Sequence, residues 1–126
     1  MSKYVDGYVL VVPTGKEDEY QKMAQMGRDS WIKNGALQYF ECKGNDFTQQ
    51  EGDGEKSRSF KEMTGANEAE NVWFSFIVFE SKEHRDEVNK KVMAEMGDVF
   101  ADMPNFEMPT DMTKMAYGGF EVAVEG

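Results

Sequence analysis

The sequence predicts an α+β domain in the order β-α-β-β-α-β, a four-stranded antiparallel sheet with two helices on one face. Three observations predict it. Segments rich in β-branched and aromatic residues fall at 3–12, 36–43, 72–79 and 117–124. Between them, two stretches that open near Thr14 and at Ser81 repeat apolar residues at three- and four-residue spacing. The chain has 126 residues, 40% hydrophobic and 13% aromatic, which suits one core and argues against disorder. A single domain spanning 1–126 follows.

Lys3 to Val12 (KYVDGYVLVV) halts at Pro13 and reads as the first strand. Thr14 is placed to cap the first helix, and Glu17, Asp18 and Glu19 suit its positive end. Tyr20, Met23, Ala24, Gly27 and Trp31 form its apolar face, and Asn34-Gly35 stops it. Ala36 to Lys43 (ALQYFECK) is the second strand. Residues 44–58 are polar and contain Gly52, Asp53 and Gly54, which predicts a loop or a long hairpin connection. Ser59 to Thr64 reads as one helical turn. Val72 to Phe79 (VWFSFIVF) is the clearest strand in the chain. Ser81 caps a second helix that runs to about Met96 or Phe100, with Val88, Val92, Met96 and Val99 as its stripe. Residues 101–115 are irregular and contain Pro104 and Pro109; Tyr117 to Val124 (YGGFEVAV) is the last strand.

The third strand also predicts an assembly. Val72, Phe74, Phe76 and Val78 point one way, and Trp73, Ser75, Ile77 and Phe79 the other. Both faces are apolar, yet the two helices cover only one. The uncovered face predicts a second copy packed sheet against sheet in a C2 homodimer, with Val72, Phe74, Phe76 and Val78 at the interface.

Charge excludes some partners. The chain holds 24 acidic and 14 basic residues, net −10, which argues against nucleic acid and against an anionic membrane surface. The deficit is uneven: residues 1–63 hold 11 acids and 9 bases, residues 64–126 hold 13 and 5. The plain reading is a solvated acidic surface; the sharper one is a field that attracts a cation or a basic partner. Cys42 is the one cysteine, so no disulfide forms within the chain. The first residues do not read as a secretory signal, and no apolar run reaches the roughly 18 residues of a membrane span. A cytoplasmic location is the expectation.

Few residues carry chemistry. Asp6 interrupts an apolar strand between Tyr4, Tyr8 and Leu10, and needs a partner or a raised pKa. Tyr8 or Tyr117 is placed to supply a hydroxyl. Asp6 is thus either a polar anchor or base in an aromatic cleft, or a structural group that bonds to the backbone or serves as an edge-strand charge against aggregation. His84, the lone histidine, is a candidate for proton transfer or a capping residue in the first turn of the second helix. Tyr8, Trp73 and Tyr117 offer aromatic surface for a flat ligand, or core. Arg85 is a candidate clamp for a ligand carboxylate, or one half of an ion pair at the dimer rim. Cys42 reads as a buried or half-buried core residue. Gly118-Gly119 lacks the spacing of a phosphate loop and predicts a bulge or a close backbone contact. No HxH, HExxH or Cys/His pair exists, so no metal site is expected.

Four stretches together carry a family resemblance. YVDGYVLVVP at 4–13, GALQYFECKGND at 35–46, ENVWFSFIVFESKEHRD at 70–86 and KMAYGGFEV at 114–122 resemble the small bacterial YbaA-like proteins. That family is a domain of unknown function in the dimeric α+β-barrel superfamily. The similarity runs in matching order over nearly the whole chain. The family's helix start carries a proline that ESKEHRD lacks here. The resemblance implies a ferredoxin-like subunit whose homodimer builds a barrel from two sheets. It implies no established activity, and borrowing one from other barrels of the superfamily is fold-level analogy.

The expected function is a cytoplasmic homodimer, without a cofactor, that binds a small hydrophobic or aromatic ligand or is non-catalytic. The alternative is a cofactor-independent monooxygenase- or isomerase-like enzyme acting on a small aromatic or quinone-like substrate. There Asp6 or His84 would move a proton while aromatic side chains hold the ring.

Overall fold

The structure, a computed structural model, describes residues 2–48 and 57–126. Strands β1 (Tyr4–Pro13), β2 (Gln38–Lys43), β3 (Glu70–Phe79) and β4 (Ala116–Glu121) form one antiparallel sheet in the order β2-β3-β1-β4. The two long, β-branched strands sit at its centre. They pair from Tyr4 opposite Phe79 to Pro13 opposite Glu70. The proline closes the ladder at its end, where its missing N–H costs nothing.

Directly paired residues share a face of the sheet. Glu41, Ser75, Tyr8 and Tyr117 therefore form one row across all four strands. Tyr39, Ile77, Asp6 and Gly119 form the next. Helices α1 (Glu17–Lys33) and α3 (Lys82–Ala101) pack on this face. Tyr20 and Ala24 of α1 bury against Leu10, Val12 and Trp73. Val88 and Val92 of α3 bury against Ala36, Ile77 and Phe79. Each such aliphatic or aromatic side chain contributes about 1.5–3 kcal/mol when fully buried. A short α2 (Phe60–Thr64) is capped by Ser59, whose hydroxyl accepts from the Glu62 N–H.

Several boundaries differ from the sequence reading. Thr14 does not cap α1: a 3-10 turn at Thr14–Lys16 precedes the helix, and the Thr14 hydroxyl donates to the Ala69 carbonyl. The last strand ends at Glu121, and Val124 is fully out in solvent. Ser81 does cap α3, accepting from the His84 N–H at 3.1 Å. Gly52, Asp53 and Gly54 lie outside the described residues. Gly118-Gly119 makes no bulge, because β4 stays in register with β1 from Val9 to Tyr4. The glycine is needed for room: a Cβ on Gly119 would collide with the Tyr4 side chain.

On the opposite sheet face Phe40, Phe74 and Phe120 are 43%, 42% and 61% exposed. Phe40 and Phe76 stack there with centroids 4.8 Å apart. Val72 is a correction to the expected interface set. It is 2% exposed within a single chain. It lies at the end of β3 where Gly44 donates to its carbonyl, beside Phe74, against which Phe60 of α2 packs. Phe74 stays exposed on this face despite its contacts with Phe60 and Phe76, and Phe76 and Val78 are half-buried.

Candidate functional site

Between the helix-bearing face of the sheet and α1 and α3 lies a cavity of ≈ 370 Å³. Tyr8, Leu10, Ser75 and Ile77 form its floor. Tyr20, Met23, Ala24, Gly27 and Trp31 of α1 and Met93, Met96, Gly97 and Phe100 of α3 form its walls. Met108 and Met115 approach from the segment before β4. Methionine is unbranched and polarisable, so these walls adapt to shape more readily than leucine would. Glu41 is the single ionisable carboxyl among the lining residues.

Strand alternation sends Tyr39 and Glu41 to this face and Phe40 and Cys42 to the other. The Tyr39 hydroxyl donates to Glu41 Oε1 at 2.7 Å, and the Tyr20 hydroxyl to Oε2 at 2.9 Å. The Ser75 side chain, next to Glu41 in the row, also bonds to it. Gly27 eases the Tyr39 position: a Cβ there would sit a tight 3.3 Å from the Tyr39 hydroxyl. Burial raises the Glu41 pKa from its ordinary value, against the pull of its three hydroxyl donors. The Tyr20 and Tyr39 hydroxyls are pushed up as well, first by burial and then by the adjacent Glu41. Tyr8 is pushed up to about 12, by burial and then by Asp6. Glu41 also lines a second cleft of ≈ 390 Å³, which shares Ala24 and Tyr39 and adds Gln21, Gln25, Arg28 and Lys43.

Most residues singled out in the sequence hold the fold. Asp6 is 4% exposed and does not face the cavity. Its partners are neither Tyr8 nor Tyr117. Arg85 Nη1 donates to Oδ1 at 2.6 Å and Asn89 Nδ2 to Oδ2 at 3.1 Å. Asn89 in turn accepts from Trp31 Nε1 at 2.9 Å. A chain of polar contacts thus ties β1, α3 and α1 together. Arg85 makes its ion pairs inside the chain, with Asp6 and Asp86, and its guanidinium lies 4.8 Å from the Tyr4 ring centroid. His84 Nδ1 accepts from the Glu80 N–H at 3.0 Å and serves the start of α3. It does not line the cavity either, so neither proton-transfer candidate of the sequence lies there.

Trp73 is 3% exposed, its indole N–H donates to Glu17 at 2.8 Å, and it reaches only the second cleft. Tyr117 is 75% exposed and stacks on Tyr8 with centroids 5.8 Å apart. Of the four ligand-binding candidates, only Tyr8 lines the cavity. Cys42 is exposed rather than core, because its face of the sheet carries no helix. Among the described residues no three His, Cys, Asp or Glu side chains converge as a metal site would require. Sequence reasoning missed Glu41. Alternation puts this acid on the same strand face as Tyr39, but the face that α1 covers is set by the packing of Tyr20, not by the strand's own pattern.

Comparison with known proteins places this geometry. An uncharacterised protein, YbaA, of Escherichia coli (strain K12) is 39% identical over 125 residues, covering 98% of each chain. A Shigella flexneri protein of the same description matches to the same extent. Among solved structures, a de novo designed protein, Foldit4, aligns with a TM-score of 0.44 at 8% identity, over 94% of this chain and 96% of its own. That likeness is too loose to bear on the site. The family model described as a protein of unknown function, DUF1428, matches residues 3–112, and the chain belongs to that family.

Proposed function

We propose that the chain works as a cytoplasmic ferredoxin-like homodimer in which each subunit binds a small, mostly apolar molecule between its sheet and its helices. The observation that carries this reading is the ≈ 370 Å³ cavity, apolar on nearly all sides, with one carboxyl group at its floor. Concave apolar sites with a few fixed polar groups are what small-molecule sites usually look like. The strand order β2-β3-β1-β4 with both long helices on one face supports the ferredoxin-like assignment. The opposite face supports the homodimer. Val5, Val9, Phe74, Phe76 and Phe120 line a ≈ 610 Å³ hollow there with scarcely any polar surface. An apolar patch of that kind on a single chain marks an interface, and a self-complementary C2 contact is the simplest cover. Among the described residues no helix is long and apolar enough to cross a membrane.

The test is a thermal-shift and fluorescence screen of small apolar compounds against the purified protein. Hits that quench tryptophan emission and fail to stabilise Ala24→Trp, which fills the cavity, support the reading. A broad screen without hits overturns it. Light scattering should give twice the chain mass, and Phe74→Lys should halve it; a wild-type monomer at micromolar concentration removes the dimer.

A further inference from the structure

We propose that the cavity is an organic-ammonium site: a protonated amine rests on the Glu41 carboxylate among Tyr8, Tyr20, Trp31 and Tyr39. This deepens the small-ligand reading above and rests on it. The apolar remainder of the ligand packs on the methionines of the cavity wall.

The argument begins with a missing charge. Six carboxylates among the described residues are buried or half-buried: Asp6, Glu17, Glu41, Glu70, Glu95 and Asp111. Five have a Lys or Arg nitrogen within 4 Å. Asp6 has Arg85 at 2.6 Å, Glu70 has Lys114 at 2.7 Å and Glu95 has Lys33 at 2.9 Å. Glu17 has Lys43 at 3.8 Å and Asp111 has Lys114 at 3.9 Å. Glu41 has no such partner among the described residues. It has three hydroxyl donors instead, from Tyr20, Tyr39 and Ser75. Those donors favour the charged form and aim nothing positive at it. A carboxylate removed from water is normally matched by a cation, and here Glu41 opens on the cavity and on the adjoining cleft.

The surrounding groups select the kind of cation. A hydrated metal ion would want several oxygen ligands, and the walls offer thioethers and aromatic faces. Aromatic rings attract ammonium groups through their quadrupoles, more strongly when water is excluded. The two cations of the adjoining cleft are engaged elsewhere: Arg28 with Asp29 at 3.0 Å, and Lys43 with Glu17. The net charge of −10 raises the local concentration of cations and disfavours anionic ligands. The class is therefore a lipophilic amine with an aromatic or short alkyl body.

The experiment compares 2-phenylethylamine with its neutral near-isostere 2-phenylethanol at pH 7. The readout is the NMR shift of labelled methionine methyl groups at Met23, Met93, Met96, Met108 and Met115, which reports the cavity itself. The wild type should bind the amine roughly tenfold more tightly than the alcohol. Glu41→Gln should abolish that preference while alcohol binding persists. Equal affinities in the wild type overturn the ammonium assignment and leave the small-ligand reading standing. If neither compound moves those methyl groups at millimolar concentration, this inference falls, and the broad screen above decides the small-ligand reading separately. The wild-type comparison decides by itself, so a Glu41→Gln protein that fails to fold leaves the test intact.

Discussion

Replacing Asp6 with alanine tests whether the buried acid of β1 holds the fold or serves a reaction. Its carboxylate accepts from Arg85 at 2.6 Å and from Asn89 at 3.1 Å. Removing it strands both donors. Breaking a fully buried ion pair typically costs about 3–5 kcal/mol. Here the Arg85 side chain is 19% exposed and keeps its bond to Asp86 at 2.7 Å, so part of that cost is relieved. Asn89 loses one acceptor and retains Trp31. A net loss of about 2–4 kcal/mol follows. Urea denaturation measures it. With a slope of about 1–3 kcal/mol per molar, the midpoint should fall by roughly 1 M or more at unchanged slope. Adding Arg85→Met to Asp6→Ala should recover part of the loss, since the stranded guanidinium is then gone. A loss below about 1 kcal/mol would refute the anchor reading. So would a variant of full stability that no longer binds ligand, because Asp6 would then act at the site rather than beneath it.

Three further perturbations probe other parts of the structure. The raised pKa of Glu41 means the folded chain keeps that proton to higher pH than the unfolded chain does, so this group's contribution to stability falls as pH rises from about 4.5. Stability of the wild type minus that of Glu41→Gln should therefore decline across that window in urea melts, and a difference that grows with pH would sink the burial account. Ser81→Ala should cost about 1 kcal/mol through loss of the α3 cap, read as a lowered thermal midpoint. Gly119→Ala should cost about 1–3 kcal/mol because the Tyr4 side chain must move, whereas Gly15→Ala, with nothing within 4 Å, should be near neutral; equal melting temperatures would remove the packing explanation.

What the sequence revealed and what it concealed divide by distance along the chain. Alternation in VWFSFIVF is local, and it correctly separates Trp73, Ser75, Ile77 and Phe79 from Phe74, Phe76 and Val78. The Ser81 cap is local too, since its acceptor and the His84 N–H lie within one helical turn. Thr14 looks like the same kind of cap and is not, because its hydroxyl is taken by Ala69, 55 residues away. Asp6 and Arg85 were both legible as residues that needed explanation. Their pairing across 79 residues was not, because it depends on which turn of α3 crosses β1.

Glu41 is the instructive case. Alternation places it opposite Cys42 without saying which of the two faces inward. That choice is made by α1, which brings Tyr20 onto the carboxyl, and by Gly27, which leaves room for the Tyr39 hydroxyl. The same choice leaves Phe40 and Cys42 on the bare face. One docking event therefore sets the character of both sheet faces at once. It closes an acid into an apolar cavity on one side of β2 and exposes an aromatic surface on the other. Neither outcome is written in the local pattern of ALQYFECK, since swapping the covered face would have buried the cysteine and sent the acid into water.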